Sequence, residues 1–238
     1  MILSGAGLSA ESGISTFRDH DGLWEKYDVM KVCSTEGWIE DRKLVTKFYD
    51  ARRADLEFKE PNHAHTILVQ LEKDYRGRVI HLTQNVDNLM ERAGSKDIVH
   101  LHGTLTDLRC EACTEIFDVG YIAQNDAISC PHCGNRRVRH NVVMFGESAP
   151  EYSQLHQAMR ECTLFIAIGT SGTVIDITRI AKEFKDSLLI DPKRQKISSV
   201  FNPDSYIDES FTHFIQKRAS EAMDEMMKII KAHMDGRF

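Results

Sequence analysis

The sequence predicts a doubly wound α/β fold, with helices on both faces of a parallel β-sheet. Short apolar segments recur along the chain, and each is almost continuously apolar, as in a parallel strand that is buried on both faces. Helical patterns lie between several of these segments, and this alternation is typical of the doubly wound class. The predicted strands are Ile2–Ser4, Val79–Thr83, Ile98–Leu101, Leu164–Ile168 and Leu188–Ile190.

The predicted helices place apolar residues at helical spacing. They cover His65–Lys73, Thr173–Phe184 and Ala219–Met234. The last one is rich in methionine, which favours a packing face and leaves a methionine-lined partner groove as the alternative.

Two segments interrupt the α/β pattern. A charged and aromatic stretch over about 21–60 reads as a helical insertion, and a cysteine-rich stretch follows later. We therefore predict a main domain made of 1–103 and 142–238, and a small module over 104–141.

Composition excludes several classes of protein. The 238 residues are 42% hydrophobic and 28% charged, a mixture typical of globular proteins rather than disordered or collagen-like chains. No apolar run reaches membrane-spanning length, so we expect no membrane partner. The formal net charge of −6 gives no global attraction for nucleic acid, which is not indicated as a partner. The chain opens without a secretory-signal pattern, and we expect a cytoplasmic protein.

Four of the six cysteines form two C-x-x-C pairs separated by 16 residues. Two such pairs at this spacing are typical of a tetrahedral zinc site, whereas a secreted disulfide framework is not indicated. Four sulfur ligands would fill the coordination shell, so the zinc would be structural. The alternative is four reduced, buried thiols. The predicted ligands are Cys110, Cys113, Cys130 and Cys133.

A glycine turn, G-x-G-x-x-A, follows the first predicted strand. Such a turn lets backbone N–H groups approach a pyrophosphate, although an ordinary strand-to-helix turn can have the same sequence. The acidic residue that dehydrogenases carry about 20 positions later, at the end of a second strand, is not evident. We therefore do not predict a standard dehydrogenase site. The residues of the turn are Gly5, Ala6, Gly7, Leu8, Ser9 and Ala10.

Longer motifs, in a fixed order, identify the family that the sequence resembles. Gly5–Arg18 resembles the G-A-G-x-S-x-x-S-G-I-x-x-F-R signature of the sirtuins, the NAD-dependent protein lysine deacylases. The further matches are T-Q-N-x-D at Thr83–Asp87, H-G at His102–Gly103, V-V-x-F-G-E at Val142–Glu147 and G-T-S at Gly169–Ser171.

The resemblance implies a Rossmann-like NAD-binding domain and a specific reaction. Acylated lysine of a protein would react with NAD and water to give nicotinamide, O-acyl-ADP-ribose and free lysine. His102 would be the general base that deprotonates a ribose hydroxyl. The alternative is that His102 is an ordinary histidine of the core or of a strand end. Asn85 and Asp87 would hold the nicotinamide ribose and carboxamide side, and Gln84 would orient the ribose. The other implied NAD-binding residues are Gly5, Ala6, Gly7, Ser9, Phe17, Arg18, Gly169, Thr170, Ser171, Asp191 and Ala219.

The resemblance also suggests which acyl group is removed. Tyr49 and Arg52 share a helix face and resemble the Tyr-x-x-Arg pair of sirtuins that remove malonyl and succinyl groups. A guanidinium can bind the carboxylate of such an acyl group bidentately. The alternative interpretation is that Tyr49 and Arg52 are an ordinary i, i+3 pair on the surface of a helix. The substrate-binding residues implied by the V-V-x-F-G-E match are Val143, Phe145 and Gly146.

Two other functions remain open at this point. An NAD hydrolase or mono-ADP-ribosyltransferase would use the same site, and a non-catalytic zinc-ribbon interaction module would not need it. Asp191 also stands where the family commonly has Asn, and the adenine-side match around Ala219 is weak.

Overall fold

The computed structural model describes residues 1–15, 27–124, 127–197 and 205–236. Its main sheet has six strands, and every neighbouring pair is parallel. The strands are β1 (Ile2–Ser4), β2 (His81–Thr83), β3 (Val99–His100), β7 (Leu164–Ile168), β8 (Asp186–Ile190) and β9 (His213–Ile215).

The strand order is β3-β2-β1-β7-β8-β9. With the intervening strands of a second sheet left out, this is the 3-2-1-4-5-6 order of dinucleotide-binding folds. The order reverses between β1 and β7, so a ligand crevice is expected beyond the carboxyl ends of these two strands. The predicted doubly wound fold is confirmed.

Alternating strand residues feed two apolar cores, one on each face of the sheet. Ile2 and Ile166 pack in the first core, whereas Leu3 and Phe165 pack in the second. The first core is covered by α4 (His63–Asp74), α5 (Leu89–Ala93) and α8 (Ala219–Met234). The second is covered by α6 (Tyr152–Glu161) and α7 (Ile177–Ala181).

Three consecutive helices form most of the described part of the helical insertion. They are α1 (Val29–Cys33), α2 (Thr35–Glu40) and α3 (Arg42–Leu56). Each begins after a residue whose side chain accepts a backbone hydrogen bond from the first turn: Asp28, Ser34 and Asp41. Together they enclose a third apolar core, which includes Phe48 and Tyr49 of α3.

A separate antiparallel sheet carries the cysteines. Its strands are β4 (Gly103–Cys110), β5 (Ile116–Asp118) and β6 (Val138–Val142), with β4 in the centre. Arg53 of α3 is fully buried against this sheet and donates hydrogen bonds to the carbonyl oxygens of Leu105, Asp107 and Ile122. This side chain therefore fastens α3 to the second sheet.

Some predicted boundaries were wrong. The helix predicted over Thr173–Phe184 begins only at Ile177, because the Asp176 carboxylate accepts from the amides of Thr178 and Arg179 and starts the helix there. Strand β9 was not predicted; it is a three-residue edge strand whose His213 and Phe214 are only partly buried. Among the described residues, no helix combines the length and apolar character that crossing a membrane requires.

Candidate active site

Two glycine loops touch at the point where the strand order reverses. The amide of Gly7, after β1, donates to the carbonyl oxygen of Gly169, after β7, at 2.9 Å. A Cβ atom on Gly7 would approach the Cα atom of Gly169 to 2.6 Å, and Gly169 has a φ of +58°. Glycine is therefore required here for contact between the loops, in addition to the approach to a phosphate that the motif predicts.

Polar residues follow β2 and β7 at this edge. Gln84, directly after β2, donates from Nε2 to Thr170 Oγ1 at 2.8 Å. The hydroxyls of Ser171 and Thr173 lie 2.9 Å apart. This arrangement joins the T-Q-N-x-D segment to the G-T-S segment across the top of β1.

The hydroxyl of Ser9 connects three polar side chains of the site. Its oxygen lies 3.2 Å from Asn85 Nδ2, which donates to it, and 3.4 Å from His65 Nε2. The Ser9 hydroxyl also interacts with the carboxyl of Asp87, whose Oδ1 accepts from the amide of Leu89 at 3.1 Å. The predicted residues Ser9, Asn85 and Asp87 are thus brought together.

Burial controls the charge of Asp87. Its side chain lies almost out of solvent, and desolvation raises the pKa of its carboxyl. The hydrogen bonds from Leu89 and Ser9 oppose this shift, because they stabilise the ionised form. The site therefore holds a desolvated acidic group with fixed donors.

His102 has the protonation pattern of a general base. Nδ1 lies 3.1 Å from the carbonyl oxygen of Gln84, which can only accept, so Nδ1 carries the proton. Nε2 lies 3.0 Å from the hydroxyl of Tyr152 and can then accept a proton. Desolvation lowers the pKa of His102, which keeps the ring neutral near pH 7.

The predicted acyl-binding pair lies on α3. Tyr49 is buried, within hydrogen-bonding reach of the Cys33 thiol, and desolvation raises the pKa of its hydroxyl well above the usual value. The half-buried Arg52 has its guanidinium carbon 5.7 Å from the centre of the Phe48 ring. Both side chains therefore border the third apolar core.

The V-V-x-F-G-E segment is attached to both the base and the helical insertion. The amide of Val143 donates to the carbonyl oxygen of His102 at 3.0 Å, and that of Phe145 donates to Cys33 at 2.8 Å. Phe145 is exposed, whereas Met144 is buried. A Cβ atom on Gly146 would come within 2.6 Å of Thr35 Oγ1, and its φ is +91°.

The remaining predicted NAD-binding residues are Asp191, Ala219, Phe17 and Arg18, and the structure describes the first two. Asp191 follows β8 and accepts from the Lys193 amide at 2.8 Å and from Gln195 Nε2 at 2.7 Å. Ala219 begins α8, whose Ser220 amide donates to Glu11 near the glycine turn. Phe17 and Arg18 lie outside the described residues.

The four clustered cysteines can hold a metal ion. Their sulfur atoms all lie within 4.8 Å of one another, with 3.7 Å between Cys110 and Cys133 and 3.5 Å between Cys113 and Cys130. A tetrahedral zinc site with Zn–S bonds of about 2.3 Å separates its sulfurs by about 3.8 Å. The cluster therefore fits zinc, and β4, β6 and their loops bring its ligands together.

Sequence reasoning missed several residues of the site. Tyr152 contacts His102 from a helix 50 residues further on, and no motif pointed to it. His65 on α4 lies close to Ser9, and no family motif pointed to it. Thr170, which the resemblance implies for NAD binding, also accepts a hydrogen bond from Gln84. The sequence signal for His65 was its position three residues after Asn62, which forms a capping box with it.

Comparisons with known proteins agree with this architecture. An NAD-dependent protein deacylase of Campylobacter jejuni (strain RM1221) is 45% identical over 234 residues, which cover 98% of this chain and 96% of that protein. A mutant Sir2 homologue in complex with ADP ribose superposes with a TM-score of 0.81 at 32% identity, covering 99% of this chain and 92% of that one. A Sir2 homologue in complex with NAD gives a TM-score of 0.76 at 33% identity, covering 98% and 89%.

Residues 5–176, which contain the glycine turn, the polar cluster, His102 and the four cysteines, match the Sir2 family. The relatives extend the likeness to nearly the whole chain, and the solved structures share its fold. The chain therefore belongs to the Sir2 family, the sirtuin NAD-dependent protein deacylases.

Proposed function

We propose that this sirtuin removes acidic acyl groups, succinyl and malonyl, from lysine side chains of proteins, and that it also removes acetyl groups. The observation that carries the proposal is the position of Tyr49 and Arg52 at the third apolar core, which also contains Val142 and Met144 of the V-V-x-F-G-E segment. The acyl group and the peptide would therefore bind next to each other.

The residues at the carboxyl edge of the sheet suit NAD. Gln84, Asn85, Asp87 and Ser9 present amide, carboxylate and hydroxyl groups, which are the partners that a ribose requires. Bound NAD would supply a ribose carbon from which nicotinamide leaves. The Nε2 atom of His102 would accept the proton of a ribose hydroxyl, while the Gln84 carbonyl keeps Nδ1 protonated.

An acidic acyl chain would bring a carboxylate into largely apolar surroundings. Such a charge is costly to bury unless it is paired and hydrogen-bonded. A guanidinium such as that of Arg52 can offer two parallel donors to a carboxylate, and the Tyr49 hydroxyl, which interacts electrostatically with Arg52, would supply a further neutral donor. An acetyl group has no carboxylate and would gain nothing from this pair.

The positive charge of Arg52 also interacts with a residue of the polar cluster at the end of the sheet. The guanidinium interacts electrostatically with Tyr49 and with Asp87. Arg52 of the proposed acyl pocket is therefore coupled electrostatically to the polar cluster at the end of the sheet. This arrangement supports an acyl chain that extends from the reacting lysine amide toward α3.

The peptide would bind along Val143, Phe145 and Gly146. Val143 and Phe145 alternate with the buried Val142 and Met144, so they face outward on an extended segment. Because Val143 is hydrogen-bonded to His102, a peptide on this segment would hold its lysine near the base.

The test is the turnover of matched acetyl, malonyl and succinyl peptides by Arg52→Met. Loss of a hydrogen-bonded charge pair is worth about 1.5–3 kcal/mol, so KM for the succinyl peptide should rise roughly 10- to 100-fold with little change for acetyl. Lys47→Met is the matched control, since it removes an exposed cation from the same helix. Equal losses on the succinyl and acetyl peptides would contradict the acidic-acyl preference.

The product distinguishes deacylation from the other NAD reactions. O-acyl-ADP-ribose should form in proportion to free lysine when the acylated peptide is present. Release of nicotinamide at the same rate without peptide would instead support an NAD hydrolase.

A further inference from the structure

His100 occupies an unusual position two residues before His102. Its ring lies beyond the end of β2, with Nδ1 at 2.9 Å from the carbonyl oxygen of Asn85 and Nε2 at 2.7 Å from Oε1 of Glu91. The side chain is only 10% exposed. Both ring nitrogens are therefore engaged inside the protein.

The partners of this ring determine its protonation state. A carbonyl oxygen and a carboxylate oxygen are both acceptors, so each of the two nitrogens must donate. Only the imidazolium form donates from both. His102 differs, because its Nε2 faces a hydroxyl that can itself donate. His65 differs as well, because its Nδ1 accepts from the Asn62 amide.

The charges around His100 come from several elements. Glu91 on α5 is its hydrogen-bonded partner, and the buried Asp87 after β2 interacts with it electrostatically. The His100 cation in turn lowers the pKa of the buried His81 on β2, whose Nδ1 lies 3.8 Å from Glu72 of α4. Because the acidic neighbours outweigh desolvation, the pKa of His100 is raised above its ordinary value.

We propose that His100 is a positioning residue for NAD binding, which acts as a cation that fixes the Asn85 backbone and stabilises the Asp87 carboxylate. It reaches NAD only through these two residues, so the inference rests on the NAD-dependent reaction and is independent of the acyl preference. Its loss of a proton at alkaline pH would release the Asn85 carbonyl or the Glu91 carboxylate and remove a positive charge from beside Asp87.

The two neighbouring histidines then set opposite limits on activity. The pKa of His102 is lowered, so the base becomes active as pH rises through a value below 6.5. The pKa of His100 is raised, so NAD affinity declines as pH rises through a value above 6.5. Two groups whose surroundings drive their pKa values apart produce a bell-shaped pH profile.

The experiment compares wild type with His100→Gln, which keeps one donor for Asn85 and cannot be charged. His156→Gln is the matched control, because it replaces an exposed histidine on α6. NAD affinity is measured by calorimetry from pH 6 to 9, and ¹⁵N NMR of histidine-labelled protein reports the ring nitrogens. The His100 signals are assigned by their absence from the His100→Gln spectrum.

The proposal expects His100 to be doubly protonated at pH 7, and NAD affinity to fall at alkaline pH in wild type and His156→Gln. In His100→Gln the alkaline decline should disappear, and Kd for NAD at pH 7 should be roughly tenfold higher, as for loss of one hydrogen bond to a charged group. KM for the acylated peptide should stay within twofold of wild type. Glu91→Gln should move the decline to lower pH, since it removes the negative partner.

A neutral His100 at pH 7 would overturn the proposal, and so would an alkaline decline that persists in His100→Gln. Neither measurement requires turnover. If deacylation itself were absent, the NMR and NAD-binding results would still decide the role of His100.

Discussion

Replacing His65 with glutamine should remove a large part of the acid sensitivity of this fold. His65 is fully buried; its Nδ1 accepts from the Asn62 amide at 3.2 Å, and its Nε2 lies 3.4 Å from Ser9 Oγ. Glutamine at the third position of a helix is a standard member of a capping box, so His65→Gln can keep both roles without titrating.

The magnitude follows from the pKa of the buried ring. Desolvation, with a smaller contribution from His81, lowers the pKa of His65 from 6.5 to about 4. Between these two values the unfolded chain binds more protons than the folded protein, so stability falls as pH decreases from 6.5 and the full cost is reached below 4. With 1.36 kcal/mol for each pKa unit, this group alone lowers the free energy of unfolding by roughly 2 kcal/mol between pH 7 and pH 5.

Urea unfolding followed by circular dichroism at pH 7 and pH 5 measures this difference. The loss of stability between the two pH values should be about 2 kcal/mol smaller in His65→Gln than in wild type. His63→Gln, which changes the exposed first residue of the same helix, should behave like wild type. Identical pH dependence in wild type and His65→Gln would refute the assignment of a neutral, buried ring.

Two further predictions concern the base and the metal. His102→Ala should lower deacylation by roughly 10² or more while NAD binding and the fold persist. At saturating NAD, the wild-type rate should rise with pH through a midpoint below 6.5, because the pKa of His102 is lowered. A folded variant with nearly full turnover would exclude His102 as the base. Cys130→Ser should lower both the zinc content and the melting temperature, because metal binding is coupled to folding of the second sheet. Elemental analysis that finds no zinc in the purified wild-type protein would contradict the structural zinc site.

The parallel strands were predictable because their residues are apolar on both faces. Strand β7 has the predicted limits, Leu164–Ile168, and helix α8 has the predicted limits, Ala219–Met234. Strand β9 was missed because it is short, lies at an edge and carries His213, so no apolar run marks it. Helix α7 was predicted too long because apolar spacing continues upstream of Asp176, whose side chain starts the helix.

In the site, motif residues were predictable and their supports were not. Ser9, Asn85 and Asp87 belong to motifs at strand ends, and the fold brings strand ends together. Tyr152 and His65 reach the site from helices whose sequence pattern reflects only packing against the sheet. Their polar contacts depend on three-dimensional distances that periodicity does not encode.

The attachment of α3 by Arg53 has a consequence for how this enzyme can diversify. Asp50 accepts from His140 and Gln124, and Arg53 donates to three carbonyls of the second sheet and its loop, so positions 50 and 53 anchor the helix. The neighbouring positions 49 and 52 are left to face the proposed acyl pocket. On this helix, the residues that attach it to the second sheet therefore differ from the residues proposed to recognise the acyl group. A mutagenesis library at the half-buried position 52 should therefore yield new acyl preferences at a high frequency of folded variants. The buried Tyr49 packs in the third apolar core and should accept fewer substitutions, and a library at 50 and 53 should yield mainly unfolded variants.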